Sequence, residues 1–270
     1  MRCCRTAASV AGECHRSSAA TCHSNDGEPS HGTTAPHGVT SARQRLPNAP
    51  VMPLTATVPD ATGHSYSGPV DAAVLIPVKR FRAAKGRLAG LLDVAQRAEL
   101  ARWLAGRVVA AARPLPTFIA CDDDDVAAWA DSAGAEVLWS PGLGLNGAVD
   151  AGRATIAGKG FDHVVIAHSD LPLAHDLGAL AIPGAVVLVP DRHRDGTNVT
   201  ALPVDVSAPA SFGGGSFGRH LDLAMASGRP VHVLADVRLA LDIDSPDDVT
   251  HPLFTPHVPP WLRTILDNRR

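Results

Sequence analysis

His163–Leu173 reads HVVIAHSDLPL, and this stretch decides the fold class. Val164–Ala167 is an apolar run that ends abruptly in His168-Ser169-Asp170, and Leu171-Pro172 then forbids further strand, because proline offers no N–H to a ladder. A buried parallel strand delivers a carboxylate to the carboxyl edge of an α/β sheet in this way, and ligands bind at that edge. Asp170 is therefore a candidate metal ligand. On these residues alone a second reading stays open, in which Asp170 caps a following helix or turn.

Order begins at Asp71, and Ala72–Val78 (AAVLIPV) is another short apolar run suited to a buried strand. A helix of about twenty residues is expected from near Asp93 to Ala112, with Leu100, Leu104, Val108 and Ala111 at helical spacing and Pro114 and Pro116 ending it. Strand Thr117–Cys121, helix Asp123–Ala133 and strand Ala135–Trp139 follow, with Gly134 at the helix C-cap. After the loop Pro141–Gly144, Asn146 is read as the cap of a helix over Gly147–Ala157, which leads to the central strand Asp162–Ala167. Beyond it come a short helix His175–Ala181, strands Ala185–Pro190 and Val199–Pro203, and a helix opened by Phe212–Phe217 and running to Ser227. Short strands Val231–Leu234 and Leu239–Leu241 precede a helix begun within Asp242–Val249, and Pro259–Arg270 is a final helix or a frayed end. Alternating strands and helices predict right-handed βαβ units, hence an α/β fold with three layers around a mainly parallel twisted sheet. There is no internal repeat.

Residues 1–70 show no sustained period of 2 or 3.6 and are rich in Ser, Thr, Ala, Gly, Pro and His. They read as a disordered tail, or as an extension from an upstream start codon with Met52 the internal start. The catalytic domain is placed at 71–250, with 251–270 a C-terminal tail or short helix. The 270-residue chain is 45% hydrophobic and carries 24 Lys+Arg against 27 Asp+Glu. A net charge of -3 offers no electrostatic case for nucleic acid or an anionic membrane. No apolar run approaches the roughly 18–20 residues of a membrane helix, and the N-terminal stretch lacks a signal peptide's apolar core, so a cytoplasmic location is expected. Of five cysteines, only Cys121 falls in the patterned part, so neither a disulfide core nor a zinc site is expected.

Three segments carry chemistry. Lys79–Arg87 (KRFRAAKGR) places five cations in nine residues directly after the first strand. It lacks the glycines of a Walker A or dinucleotide fingerprint, yet cations and free N–H groups there suit a polyphosphate. Lys79, Lys85 and Arg87 are the phosphate candidates, against the alternative of a solvated basic turn. In Leu241–Val249 (LDIDSPDDV), Asp242 and Asp244 alternate and so point the same way. Ser245, Asp247 and Asp248 suit a helix start, but Asp242 between Leu241 and Ile243 is better explained as a second metal carboxylate beside Asp170. Hard oxygen ligands with a phosphate substrate favour magnesium over zinc. Gly213-Gly214-Gly215-Ser216 before a helix is a phosphate-cradle pattern, and Gly196-Thr197-Asn198 adds a hydroxyl on a tight turn. Asp122–Asp125 reads as a solvated helix start, His168 and His220 as groups behind the site, and His175, His193 and His232 as surface.

LIPVKRFRAAKGRLA, GLN, HSDLPL, VPDRHRDGTN, FGGGSFGRH and LDIDSPDDV occur in this order, and over residues 71–250 the chain resembles the guanylyltransferases of coenzyme F-420 biosynthesis. These act on phosphoenolpyruvate or 2-phospho-L-lactate. The resemblance implies a nucleotidyltransferase fold of the nucleotide-diphospho-sugar transferase type. It implies catalytic metal binding at Asp170 and Asp242, substrate binding at Thr197, Gly213 and Ser216, and GTP held by the basic loop and the Gly144–Asn146 region. Gly86 departs from the family, where relatives often carry a hydroxyl. The implied reaction is transfer of GMP from GTP to the acceptor phosphate, with phosphoenolpyruvate favoured by the Ala-, Arg- and Gly-rich composition and 2-phospho-L-lactate the alternative. A GTP-binding protein without turnover is the rival of another class. Trp103, Trp129 and Trp139 are open to core or homodimer interface, and hand-over of product to the next transferase of the pathway is a further expected partnership.

Overall fold

The computed structural model describes residues 70–269, so the expectations for the N-terminal extension lie outside the described residues. Seven strands form one sheet: β1 (Ala72–Pro77), β2 (Thr117–Cys121), β3 (Glu136–Trp139), β4 (His163–Ala167), β5 (Val186–Pro190), β6 (Thr197–Pro203) and β7 (Val231–Val233). Their spatial order is β3-β2-β1-β4-β6-β5-β7. β1 pairs in parallel with β2 and β4, β2 with β3, and β5 with β7. Only β6 is reversed, antiparallel to both β4 and β5. The cause is local. Residues 191–196 are too few for a crossover, so β5 must return as a hairpin, closed by Asp191 N–H donating to Gly196 O at 2.9 Å.

The helices are α1 (Val94–Ala112), α2 (Asp124–Ala133), α3 (Gly144–Gly158), α4 (Ser216–Ala226), α5 (Pro246–Val249) and α6 (Pro260–Asp267). α1 begins in a capping box, with Gln96 N–H donating to Asp93 Oδ1 at 2.8 Å and Asp93 N–H to Gln96 Oε1 at 3.0 Å. Val74 and Ile76 of β1, with Ile119 and Val165, pack on Val108 of α1 and Ala130 of α2. The alternate residues Ala73 and Leu75, with Val164 and Ile166, pack on Val149 of α3 and Phe217 of α4. β1, β2 and β4 are buried on both faces, which is why they read as unbroken apolar runs rather than alternating ones. A third cluster joins Leu88, Leu100 and Leu104 to Leu241, Ile243, Phe254 and Leu262, docking the C-terminal segment on α1.

Three local expectations need correction. Leu239–Leu241 forms no strand, since the segment is held by side-chain and turn contacts such as Leu239 N–H to Asp236 Oδ1. The helix expected over His175–Ala181 is a 3-10 turn, Leu177–Leu180. α5 does start as expected, with Ser245 as its N-cap and Pro246 in its first turn, and is four residues long. α3 starts at Gly144, so Asn146 lies in its first turn and does not cap it. Trp129 packs edge-on against Phe81 and Trp103 lies beside Phe254, whereas Trp139 is 53% exposed on edge strand β3. Among the described residues no helix is long and apolar enough to cross a membrane.

From β1 the chain builds β2 and β3 on one side and then crosses to place β4 on the other. That reversal opens a crevice beyond the carboxyl ends of β1 and β4, where Lys79 and Asp170 emerge.

Candidate active site

Asp170 follows β4, and the segment after Leu241 brings Asp242 and Asp244 to it. Leu241 and Ile243 are buried at 1% and 0% exposure, so Asp242 and Asp244, which alternate with them, face the other way. Ile243 N–H donates to Asp170 O at 3.1 Å and ties the two segments together. One carboxylate oxygen from each of Asp170, Asp242 and Asp244 lies within 4.8 Å of the others. Asp248 does different work: its Oδ2 accepts from Asp244 N at 3.0 Å and Ser245 N at 2.6 Å, while Oδ1 pairs with Arg192. It shapes the turn that presents Asp244.

The electrostatics of the three acids are unequal. Lys85 Nζ lies 2.7 Å from Asp170 Oδ2 and 3.2 Å from Asp244 Oδ1, with its side chain 7% exposed. Burial alone would lower the Lys85 pKa, but Asp170 and Asp244 more than offset it and raise it. Burial works against Asp170 ionising, yet Lys85 and then His168 hold its pKa below the usual value. Asp242 has no such cation, and burial, then Asp170 and Asp244, push it up to about 6. Asp170 Oδ1 is buried without a hydrogen-bond partner. Three hard-oxygen donors, one of them orphaned, fit a divalent cation such as calcium or magnesium.

Lys79 and Arg87 are exposed, with Arg87 Nη1 3.6 Å from Asp244 Oδ2. Lys85, expected as a phosphate contact, lines the same crevice with its ammonium engaged by Asp170 and Asp244. A cavity of about 470 Å³ is lined by Lys79, Lys85, Arg87, His168, Asp170 and Asp244. A second, of about 270 Å³, shares Val78, Lys79 and Leu145 with it and is also lined by Ala120, Cys121, Ser140 and Gly144, with Arg80 and Asp122 among its charged residues. Together they have the size of a small-molecule site.

Thr197, Gly213 and Ser216 are brought together. Thr197 N–H donates to Ser216 Oγ at 3.0 Å, and Ser216 N–H to Gly213 O at 3.0 Å. Gly213 and Gly215 have φ of 119° and 67°, which side chains rarely adopt, so the turn needs glycine. The open phosphate cradle expected there is partly filled from within. Gly215 N–H donates to Asp195 Oδ2 at 3.0 Å and Phe217 N–H to Asp195 O at 3.0 Å. Asn146 sits beside this loop rather than in either cavity: its Oδ1 accepts from Phe212 N at 2.8 Å and its Nδ2 donates to Phe212 O at 3.3 Å. A chain of rings links the two halves, with Phe212 5.0 Å from His168 and 4.7 Å from His220.

Asp244 and Asp195 are the residues that pattern reading left out of the site. The alternation with Asp242 was the available signal for Asp244. Asp195 had none, because its partner arrives only when α4 docks against the β5–β6 hairpin.

A family model described as guanylyl transferase CofC like matches residues 72–255. The phosphoenolpyruvate guanylyltransferase of Sphaerobacter thermophilus is 40% identical over 185 residues, 65% of this chain and 89% of that protein. That of Rubrobacter xylanophilus is 37% identical over 184 residues, 65% of this chain and 90% of that protein. Among solved structures, a putative nucleotide-diphospho-sugar transferase from Desulfovibrio desulfuricans G20 superposes with a TM-score of 0.59 at 18% identity, over 74% of this chain and 95% of that one. The last likeness establishes the expected nucleotidyltransferase-type fold.

Proposed function

This chain belongs to the CofC-like guanylyl transferase family, and from that membership we propose that it transfers GMP from GTP to the phosphate of phosphoenolpyruvate. The products are enolpyruvoyl-2-diphospho-5'-guanosine and pyrophosphate, and the product would pass to the next transferase of coenzyme F-420 assembly. The observation that carries the reading is one cavity at the β1–β4 crevice lined by Asp170, Asp244, Lys79 and Arg87, with Asp242 completing the acid cluster beside it.

An acceptor phosphate oxygen attacks the α-phosphorus of GTP and pyrophosphate leaves. A phosphate monoester has its second pKa near about 6, so the nucleophile is ionised at neutral pH and no strong base is required. The chain's task is positioning and neutralisation of charge. Lys79 and Arg87 offset the triphosphate charge. The less polar cavity beside Ala120, Ser140 and Gly144 receives the base, and Thr197, Gly213 and Ser216 hold the phosphoacid. Asp170, Asp242 and Asp244 would hold magnesium, which when bound supplies Lewis-acid stabilisation of the phosphate oxygens.

The test is pyrophosphate release by the full chain with GTP and magnesium, offering phosphoenolpyruvate and 2-phospho-L-lactate separately. Release with phosphoenolpyruvate supports the reading. Release with 2-phospho-L-lactate alone keeps the chemistry and exchanges the acceptor. Silence with both, from protein that binds GTP, overturns it in favour of a non-catalytic role.

A further inference from the structure

Hydrogen-bond directions around Thr197 and Ser216 can be worked out donor by donor. Ser211 N–H donates to His220 Nε2 at 3.1 Å, so that nitrogen carries no proton and the neutral ring holds its proton on Nδ1. Nδ1 lies 3.0 Å from Thr197 Oγ1, so the imidazole donates and the hydroxyl oxygen accepts. Thr197 N–H in turn donates to Ser216 Oγ at 3.0 Å. Both hydroxyl oxygens have therefore accepted a bond from the protein, and both keep a proton to give away. Both side chains are buried, at 1% and 2% exposure, so these two protons are left for an anion that reaches them.

The ring is held for this task. His220 is 7% exposed and packs edge-to-face on Phe212, with centroids 4.7 Å apart and planes at 69°. Burial, then Arg219 and His168, bring its pKa down to about 4, so the ring is neutral near pH 7 and the bond directions persist.

We propose that His220 is a positioning residue for the acceptor: its Nδ1–H makes the Thr197 hydroxyl an obligate donor to the anionic groups of the phosphoacid, beside the Ser216 hydroxyl. The inference rests on the placement of the phosphoacid at Thr197, Gly213 and Ser216. It predicts that His220 acts on acceptor binding, through Thr197, and leaves the nucleotide alone.

The experiment measures pyrophosphate release by the full chain, varying each substrate at saturating levels of the other. His220→Leu is expected to raise the KM for the phosphoacid roughly tenfold, the loss of about one hydrogen bond, with the KM for GTP unchanged. His220→Gln, which keeps an acceptor for Ser211 N–H but no donor for Thr197, behaves like His220→Leu and serves if the leucine variant does not fold. His220→Asn, whose amide N–H can take the place of Nδ1, recovers most of the lost affinity. Combined with Thr197→Val, His220→Gln adds nothing further to the acceptor KM. Equal rises in both KM values, an asparagine variant no better than glutamine, or additive effects with Thr197→Val would each overturn the inference by showing a purely structural histidine. A wild type silent with GTP and both phosphoacids would instead overturn the function on which it rests.

Discussion

Lys85 Nζ lies 2.7 Å from Asp170 Oδ2, although 85 residues separate the two in the chain. This contact puts an ammonium inside the acid cluster, where it pairs with Asp170 and Asp244 and leaves Asp242 without a counter-charge.

Removing that ammonium leaves three carboxylates facing one another. Lys85→Ala is expected to cost about 3 kcal/mol without divalent ions, the usual penalty for breaking a buried pair. Magnesium or manganese should then raise its unfolding temperature by more than the wild type's, because a cation enters unopposed. Thermal melts with and without the ion check this; an equal rise in both proteins would mean that Lys85 does not compete for the cluster.

Asp242 predicts a trade of stability against turnover. Its folded pKa of about 6 lies above its ordinary value of 3.8, so between those values the folded state binds more protons and stability falls as pH rises. Above pH 6 the penalty is complete. Asp242→Asn is therefore expected to gain roughly 2–3 kcal/mol at pH 7.5 without metal, a gain that fades toward pH 4, while losing on the order of a hundredfold in turnover. Asp170→Asn loses turnover likewise but leaves Lys85 short of a partner and gains no stability. Urea midpoints at several pH values, alongside pyrophosphate assays, separate the two effects.

His220 works with the opposite sign. Its folded pKa of about 4 lies below its ordinary 6.5, so its contribution is fully present above pH 6.5 and disappears as pH falls through 4. About 3 kcal/mol is lost across that window. The pKa of buried His163 is lowered too and steepens the loss. The stability of His220→Gln should fall less steeply between pH 6.5 and 4.5; an unchanged slope would place the sensitivity elsewhere.

Two helix glycines should respond oppositely to alanine. At Gly152 an added Cβ would lie 2.8 and 2.9 Å from the two Leu75 methyls, in the tight α3–β1 contact. Overpacking there is expected to cost about 1–2 kcal/mol net of the better helix propensity. Gly106 in α1 has nothing within 4 Å of an added Cβ, so Gly106→Ala should gain about 0.5–1 kcal/mol. Chemical denaturation of both variants reads the difference directly.

The amino-acid sequence by itself determined the succession of strands and helices, the α/β class, and the arrival of Asp170 at a strand's carboxyl end. These follow from period and turn chemistry, which depend on neighbouring residues. The α1 capping box, the left-handed Gly134 and the apolar runs of β1 and β4 are all of this kind. The reversal of β6 was also written there, in the six-residue link after Pro190, but only once crossover length is weighed. What the tertiary structure alone decided is who meets whom. Lys85 meets Asp170 and Asp244 rather than open solvent, Asp195 reaches the start of α4, and His220 turns its Nδ1 to Thr197 across 23 residues. Such meetings depend on strand order and on which face each helix packs against, and a local pattern of apolar and charged residues reads the same whatever lies across the crevice.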